Sequence, residues 1–258
     1  MEYRPMLAET ASTALSPLTS SEFLFEAKWD GYRALFFTSD KKLVSRNGKD
    51  LTQFFSHLIK VKLNDAVVDG EIICIKDNRP DFASLRKNPQ SAIFMAFDLL
   101  YLQGKDLCNS PLEDRRKLLQ DLIYGQKLIG FSPDYQDGLK LFQALSSSGW
   151  EGVMAKKKGS FYLPGKRSRD WLKIIAYKEV DAVVMEWFAD KGTILLGLYI
   201  HNKLQPIGHV FYGHKPQLSK KVVTVRYREF SGQALRHASI VRFRDDKSPK
   251  ECKYEQLF

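Results

Sequence analysis

Apolar positions along the first two thirds of the chain alternate in short runs. "ALFFTSDKKLVSRNGKD" reads as two strands flanking a polar turn, with a second turn at Asn47-Gly48. "AVVDGEIICI" and "AIFMAFDLLYL" are nearly continuous apolar runs, the signature of strands buried on both faces. Two segments follow the helical period instead. "LTQFFSHLIKVK" places Phe54, Phe55, Leu58 and Ile59 on one helical face, and "PLEDRRKLLQDLI" does so with Leu118, Leu119 and Leu122 behind an acidic first turn. Strands with a few interspersed helices predict a mixed α+β domain.

From about Val180 the helical period disappears. Five strand-like runs follow: "VDAVVMEW", "TILLGLYI", "PIGHVFY", "KVVTVRY" and "ASIVRF". Five short strands in so little chain predict a small, partly open barrel of the OB-fold type. The change of period sets a boundary near Tyr177 to Glu179, dividing the chain into 1–178 and 179–258. No internal repeat or low-complexity tract interrupts either part.

Composition narrows the function. The 258 residues are 44% hydrophobic, enough for real cores, and carry 40 Lys plus Arg against 30 Asp plus Glu, a net charge of +10. That excess favours polyanionic partners, nucleic acid first. It is sharpest locally: residues 154–178 hold eight Lys or Arg and one acid, Asp170, interleaved with Phe161, Tyr162 and Trp171. Cations that neutralise phosphates beside aromatics that stack on bases suit nucleic-acid contact. Cys74, Cys108 and Cys252 have neither metal-ligand spacing nor an even count, so they read as reduced thiols of a cytoplasmic protein. No segment has the apolar length of a signal sequence or a membrane span.

The chemistry-bearing candidates are scattered. "FEAKWDGYRA" holds Lys28, Asp30 and Arg33 within six positions, although Lys-x-Asp-Gly alone is a weak signal. At neutral pH about one lysine in 2,500 is unprotonated, so a nucleophilic Lys28 needs nearby cations or a metal. Asp69-Gly70-Glu71, Phe97-Asp98, Glu151 with Lys156, and Lys173 are of the types a nucleotide site uses. A carboxylate such as Glu151 can hold a divalent metal on phosphate oxygens, Glu71 can accept from a ribose hydroxyl, and Phe97 can stack on a base. "GSFYLPGKR" is not a phosphate loop: five residues separate Gly159 from Gly165, and Arg167 stands where Ser or Thr is required. His201, His209, His214 and His237 fall in the barrel region without metal-site spacing.

Taken in order, "EAKWDGYRA", "SRNGKDLT", "VVDGEII", "FMAFDLLYLQG", "EGVMAKKKGSFYLPGKRSRDWLK" and "VRFRDDKSP" resemble the motif set of ATP-dependent DNA ligases, most closely the compact module of bacterial end-joining and repair ligases. The resemblance implies an adenylation (nucleotidyltransferase) domain of antiparallel sheets with helices, followed by an OB-fold, with a swing between them about residues 177–181. It implies that Lys28 is adenylated by ATP, that Arg33 and Glu71 contact the ribose, that Glu26 borders the adenine and Phe97 stacks on it. Asp30 and Glu151 would organise Mg²⁺ or Mn²⁺, Lys173 would bind the α-phosphate, and Lys156 would belong to the nucleotide site. Arg46 would meet AMP or the 5′-phosphate, and Arg244 and Lys247 of "RDDK" would orient pyrophosphate. The implied partner is nicked double-stranded DNA, bound by a monomer that holds nicks weakly, acts with a recruiting repair protein or relies on charge in a salt-sensitive way. Ile175 departs from the pattern, because many relatives have a second lysine there; Lys178 is the nearest substitute. RNA ligases and RNA-capping nucleotidyltransferases share the Lys-x-Asp-Gly chemistry, and a noncatalytic nucleic-acid-binding module is the reading from another class.

Overall fold

The computed structural model describes residues 3–11, 17–213 and 221–258; His214 lies outside them. The chain forms two compact units, Met1–Ala176 and Tyr177–Phe258.

Among the described residues the first unit contains two large sheets and a two-stranded ribbon, Ile75–Lys76 with Arg79–Pro80. In one large sheet, the strands run in the order Leu7–Thr10, Arg167–Ile175, Gly152–Lys157, Phe23–Ala27, Asp134–Tyr135; in the other, Ile129–Phe131, Ile93–Leu102, Ala66–Ile73, Tyr32–Phe37, Lys42–Ser45, with the short strand Lys105–Asp106 appended to Ile93–Leu102. Pairing is antiparallel except at one edge of each, where Leu7–Thr10 runs parallel to Arg167–Ile175 and Ile129–Phe131 parallel to Ile93–Leu102.

Side-chain alternation sorts each strand between two environments. On Tyr32–Phe37, Ala34 and Phe36 enter a core with Val68, Ile72 and Leu119, while Leu35 joins Val67, Phe97 and Trp171 in a second core. Arg33 shares the face of Leu35, and so does Asp69, which stands opposite Leu35 in register. In the other sheet Phe25, Val153, Ala155 and Ile174 pack with the helix Gly138–Ser147. The intervening Glu26, Met154, Lys156, Trp171 and Lys173 therefore point to the opposite face.

Two glycines permit close approaches here. A Cβ on Gly31 would lie 2.0 Å from the Ile72 carbonyl oxygen, and Gly152 (φ +138°) would place one 2.1 Å from that of Ile174.

The helix Leu112–Ile123 forms as the pattern predicts, but its inner face differs. Leu112, Leu119 and Ile123 are buried with Arg115 and Arg116 between them, whereas Leu118 is partly exposed. The expected helix at "LTQFFSHLIKVK" is absent. The segment is a series of turns ending in the 3₁₀ helix Leu58–Lys60; Phe55 and Leu58 are buried, and Phe54 is 65% exposed. Asp50 accepts from the Thr52 backbone N–H, and the Thr52 hydroxyl accepts from that of Leu43, local bonds that favour turns over a short helix.

The second unit is built on a five-stranded antiparallel sheet in the order Lys203–Phe211, Thr193–Ile200, Lys178–Phe188, Val222–Tyr227, Ser239–Arg244, matching the five runs read from sequence, with a two-stranded ribbon of Glu229–Phe230 and Leu235–Arg236 beside it in sequence. Bulges at 184/186, 196/197 and 224/225 curl the sheet around Val183, Leu196, Leu198, Val223 and Val225, and its edge strands approach each other. No helix among the described residues is long and apolar enough to cross a membrane.

Candidate active site

The first unit encloses a cavity of about 200 Å³ between its sheets. Its lining includes eight of the residues singled out in the sequence: Glu26, Lys28, Arg33, Arg46, Glu71, Phe97, Lys156 and Lys173. Leu7, Ala8, Ala27, Trp29, Met154, Arg167 and Trp171 complete it. Six cations and two carboxylates line one wall system, a field suited to a polyphosphate.

Lys28 lies just beyond the strand Phe23–Ala27, its backbone N–H donating to the Gly152 carbonyl at 2.9 Å. Its Nζ is 2.7 Å from Glu151 Oε1. The Lys28 amine is thus set against the carboxylate at the start of the neighbouring strand. Lys173 is less basic than an ordinary lysine: burial is the main cause, reinforced by Lys28, Arg167 and Arg46 and opposed by Glu151.

Glu71 stands opposite Arg33 in register. Burial pushes its carboxyl up to about 8, against the pull of Lys28 and Arg33 and with the help of Glu151 and Asp69. Arg33 does not pair with Glu71; its Nε and Nη2 donate to Asp69 Oδ1 and Oδ2 at 3.1 and 2.7 Å. Asp69 also accepts from the Tyr162 hydroxyl at 2.6 Å, which in turn accepts from the Met6 N–H. The Arg33 guanidinium is therefore fixed with its carbon 5.3 Å from the Phe97 ring centroid and 5.5 Å from that of Trp171.

Lys156 is buried, its Nζ 4.4 Å from the Phe97 ring centroid, 4.5 Å from that of Trp171 and 2.7 Å from Glu26 Oε1. Burial lowers its basicity and Glu26 opposes this. Glu26, 1% exposed, is fully engaged: Oε1 also accepts from Arg116 Nη1 at 2.6 Å, and Oε2 from the Ser132 hydroxyl at 2.9 Å. Its carboxylate supports the wall by holding Lys156. Arg116 Nη2 continues to the Ser132 carbonyl at 2.8 Å and Asp134 Oδ1 at 2.9 Å. Beside it Arg115 makes a two-pronged pair with Asp98 at 2.7 and 2.8 Å, with both side chains wholly buried. Asp98, a candidate in the sequence, is thus a structural partner of the helix.

The remaining candidates lie elsewhere. Asp30 and Glu151 are not in the cavity lining, although Glu151 reaches it through Lys28. No group of three His, Cys, Asp or Glu gathers among the described residues. One or two carboxylates beside a cation-lined cavity nevertheless suit Mg²⁺, which takes most of its ligands from phosphate and water when both are bound. Arg244 and Lys247 belong to the second unit. Arg244 grips Asp246 at 2.7 and 2.7 Å, and both cations reach Asp181 Oδ2, at 3.2 and 2.7 Å. Arg244 holds the Asp246 carboxyl down at about 2.

The comparisons with known proteins agree with this geometry. The ATP dependent DNA ligase domain family matches residues 5–174. The multifunctional non-homologous end joining DNA repair protein LigD of Mycobacterium tuberculosis is 34% identical over 225 residues, covering 81% of this chain and 29% of that protein. The chain thus spans about three tenths of the length of these multifunctional relatives. DNA ligase C of the same organism is 29% identical over 339 aligned positions, covering 98% of this chain and 93% of that protein. Among solved structures, the ligase domain of M. tuberculosis LigD is 29% identical with a TM-score of 0.64, over 97% of each chain. A Lig E DNA ligase, 20% identical with a TM-score of 0.69 over 95% of this chain and all of the other, shares the fold. With a matched domain over more than half its length and the motif residues drawn into one cavity, the chain belongs to the ATP-dependent DNA ligase family.

Proposed function

We propose that this chain seals breaks bearing a 5′-phosphate and a 3′-hydroxyl in duplex DNA, using ATP and a Lys28–AMP intermediate. The observation that carries the reading is the setting of Lys28: its amine lies against Glu151 at 2.7 Å and opens onto a cavity walled by Arg33, Arg46, Lys156, Arg167 and Lys173.

In the first step the Lys28 amine attacks the α-phosphorus of ATP. A P–N bond forms, the P–O bond to pyrophosphate breaks, and the amine gives up its proton, for which Glu151 Oε1 is a carboxylate acceptor within hydrogen-bond distance. Lys173, Arg46 and Arg167 face the phosphates, Glu71 the ribose, and Phe97 the base. AMP then passes to the 5′-phosphate of the break. The 3′-oxygen next attacks that phosphorus, forming the phosphodiester and releasing AMP. A divalent ion, Mg²⁺ or Mn²⁺, held by Asp30 and Glu151 would supply charge neutralisation at the transferring phosphoryl group. Arg244 and Lys247 of the second unit would serve pyrophosphate in the first step, and a recruiting repair protein would strengthen the hold on DNA.

Intact-mass measurement after incubation with ATP and Mg²⁺ or Mn²⁺, together with sealing of a labelled nicked duplex, tests this. Gain of one AMP at Lys28 and a sealed strand are expected. Attachment from GTP only, or at another side chain, refutes the reading.

A further inference from the structure

Lys28 and Trp29 follow the end of one strand, and Trp150 and Glu151 precede the start of its antiparallel neighbour, Gly152–Lys157. Two rungs therefore cross the gap between these strand ends. The first is the Lys28–Glu151 ion pair at 2.7 Å. The second is an edge-to-face contact of Trp29 with Trp150, with ring centroids 5.2 Å apart and an interplanar angle of 63°. Each ring is anchored from behind. Trp29 Nε1 donates to the Ser132 hydroxyl at 2.9 Å, which donates to Glu26 Oε2 at 2.9 Å. The Trp150 backbone N–H donates to the Leu145 carbonyl at 2.9 Å, tying it to the helix Gly138–Ser147.

The segment carrying Lys28 has left the regular ladder, and the bond from its N–H to the Gly152 carbonyl continues the strand pairing by one step. A flexible four-carbon side chain on such a segment does not by itself keep its amine in one place. We infer that Trp29 and Trp150 are positioning residues for adenylyl transfer: their paired rings hold the two strand ends together, and the Ser132 link registers Lys28 with the Glu26–Lys156 wall of the cavity. Neither ring touches the transferring phosphoryl group in this inference. Their effect is on where the amine stands relative to the α-phosphorus, and displacement by about 1 Å can cost on the order of 100-fold in rate.

The inference rests on reading Lys28 as the amine that takes AMP. It is tested with Trp150→Leu, which keeps apolar bulk but loses the ring, and Trp150→Phe, which restores one. Single-turnover AMP attachment at saturating ATP should slow by roughly 10-fold or more in the leucine variant and return to within about threefold of wild type in the phenylalanine variant. The ATP concentration giving half the maximal rate should move by less than about threefold. Sealing of DNA that already carries AMP on its 5′-phosphate uses no Lys28 amine, and should also change by less than about threefold.

Equal losses in AMP attachment and in sealing of pre-adenylated DNA would mean general damage to the fold and overturn the inference. Attachment within about twofold of wild type in Trp150→Leu would overturn it too. Should that variant not fold, Trp29→Phe keeps a ring against Trp150 and loses only the N–H to Ser132; attachment slowed by about threefold or more supports the inference, and an unchanged rate refutes it. A wild-type chain that never takes AMP removes the underlying reading, whereas one that does, alongside an equally fast Trp150→Leu, removes the aromatic brace alone.

Discussion

Arg116 joins helix packing to the cavity proposed to hold the nucleotide, and Arg116→Met measures that link. The substitution preserves an unbranched apolar stem in the helix but deletes four donations: to Glu26 Oε1 at 2.6 Å, the Ser132 carbonyl at 2.8 Å, Asp134 Oδ1 at 2.9 Å and, more weakly, the Phe97 carbonyl at 3.3 Å. Glu26 keeps Lys156 and the Ser132 hydroxyl, so it is not left wholly uncompensated. The Asp134 contribution is small because its side chain is about a third exposed. The larger costs are the weakened buried pair and an unsatisfied buried carbonyl, together roughly 3–5 kcal/mol. For a unit of this size that lowers the melting temperature by roughly 10 °C. Thermal melts of wild type, Arg116→Met, Glu26→Gln and the double variant provide the assay. Once Glu26 is neutral it no longer demands the arginine, so the double variant should lose less than the sum of the singles by about 1 kcal/mol or more. A single variant melting within about 2 °C of wild type would refute the assigned role.

Four other outcomes are expected. Lys28→Ala abolishes AMP attachment but leaves binding of nicked DNA within about threefold by gel shift; residual attachment would show another nucleophile. Arg167→Ala slows AMP attachment by roughly 10-fold, as measured by label transfer from ATP, because a cation is lost from the phosphate-facing wall. Asp181→Asn releases Lys247 and Arg244 from their shared carboxylate and slows attachment by about threefold to tenfold, with sealing of pre-adenylated DNA preserved; an unchanged first step would refute a positioning role for Asp181. The Glu71 carboxyl titrates at about 8 in the fold against 4.5 when free, so between these values the folded state retains a proton that the unfolded state has released. Its stability contribution is full below the lower value and falls as pH rises toward about 8. Melts from pH 5 to 9 should show Glu71→Gln gaining on wild type across that window, and parallel curves would contradict the shift.

The strands were legible because a period of two is a local property, and alternation also explains how distant motifs converge. Glu26, Lys156 and Lys173 occupy the same face of neighbouring strands, while Arg33 and Glu71 share a face of the other sheet. The inner face of Leu112–Ile123 was not legible. Its stripe passes through Arg115 and Arg116, which reasoning from hydropathy assigns to solvent; their buried partners, Asp98 and Glu26, come from other strands. The available clue was an apolar spacing of Leu112, Leu119 and Ile123 with charged residues filling the missing turn. Trp150 and Ser132 carried no signal at all, since their importance lies in contacts across 121 and 106 positions of chain, to Trp29 and Glu26 respectively. The helical period at 51–60 gives way to turns because side-chain bonds from Asp50 and Thr52 compete with helix nucleation.

Ile175 shows why a motif position and a charge requirement are separable. In register it stands beside Gly152, two residues beyond Lys173 on the same strand. The cavity wall nevertheless contains Arg167 from the start of that strand and Arg46 from beyond Lys42–Ser45, and both act on Lys173 strongly enough to help lower its basicity. Beyond burial, the positive field at Lys173 thus comes from Lys28, Arg167 and Arg46, residues far apart in sequence. A phosphate senses the summed potential of nearby cations rather than their spacing along the strand. On the proposed reading, the apolar residue at 175 is compatible with adenylyl transfer, and the neutralisation of phosphate charge would fall on Arg167 and Arg46.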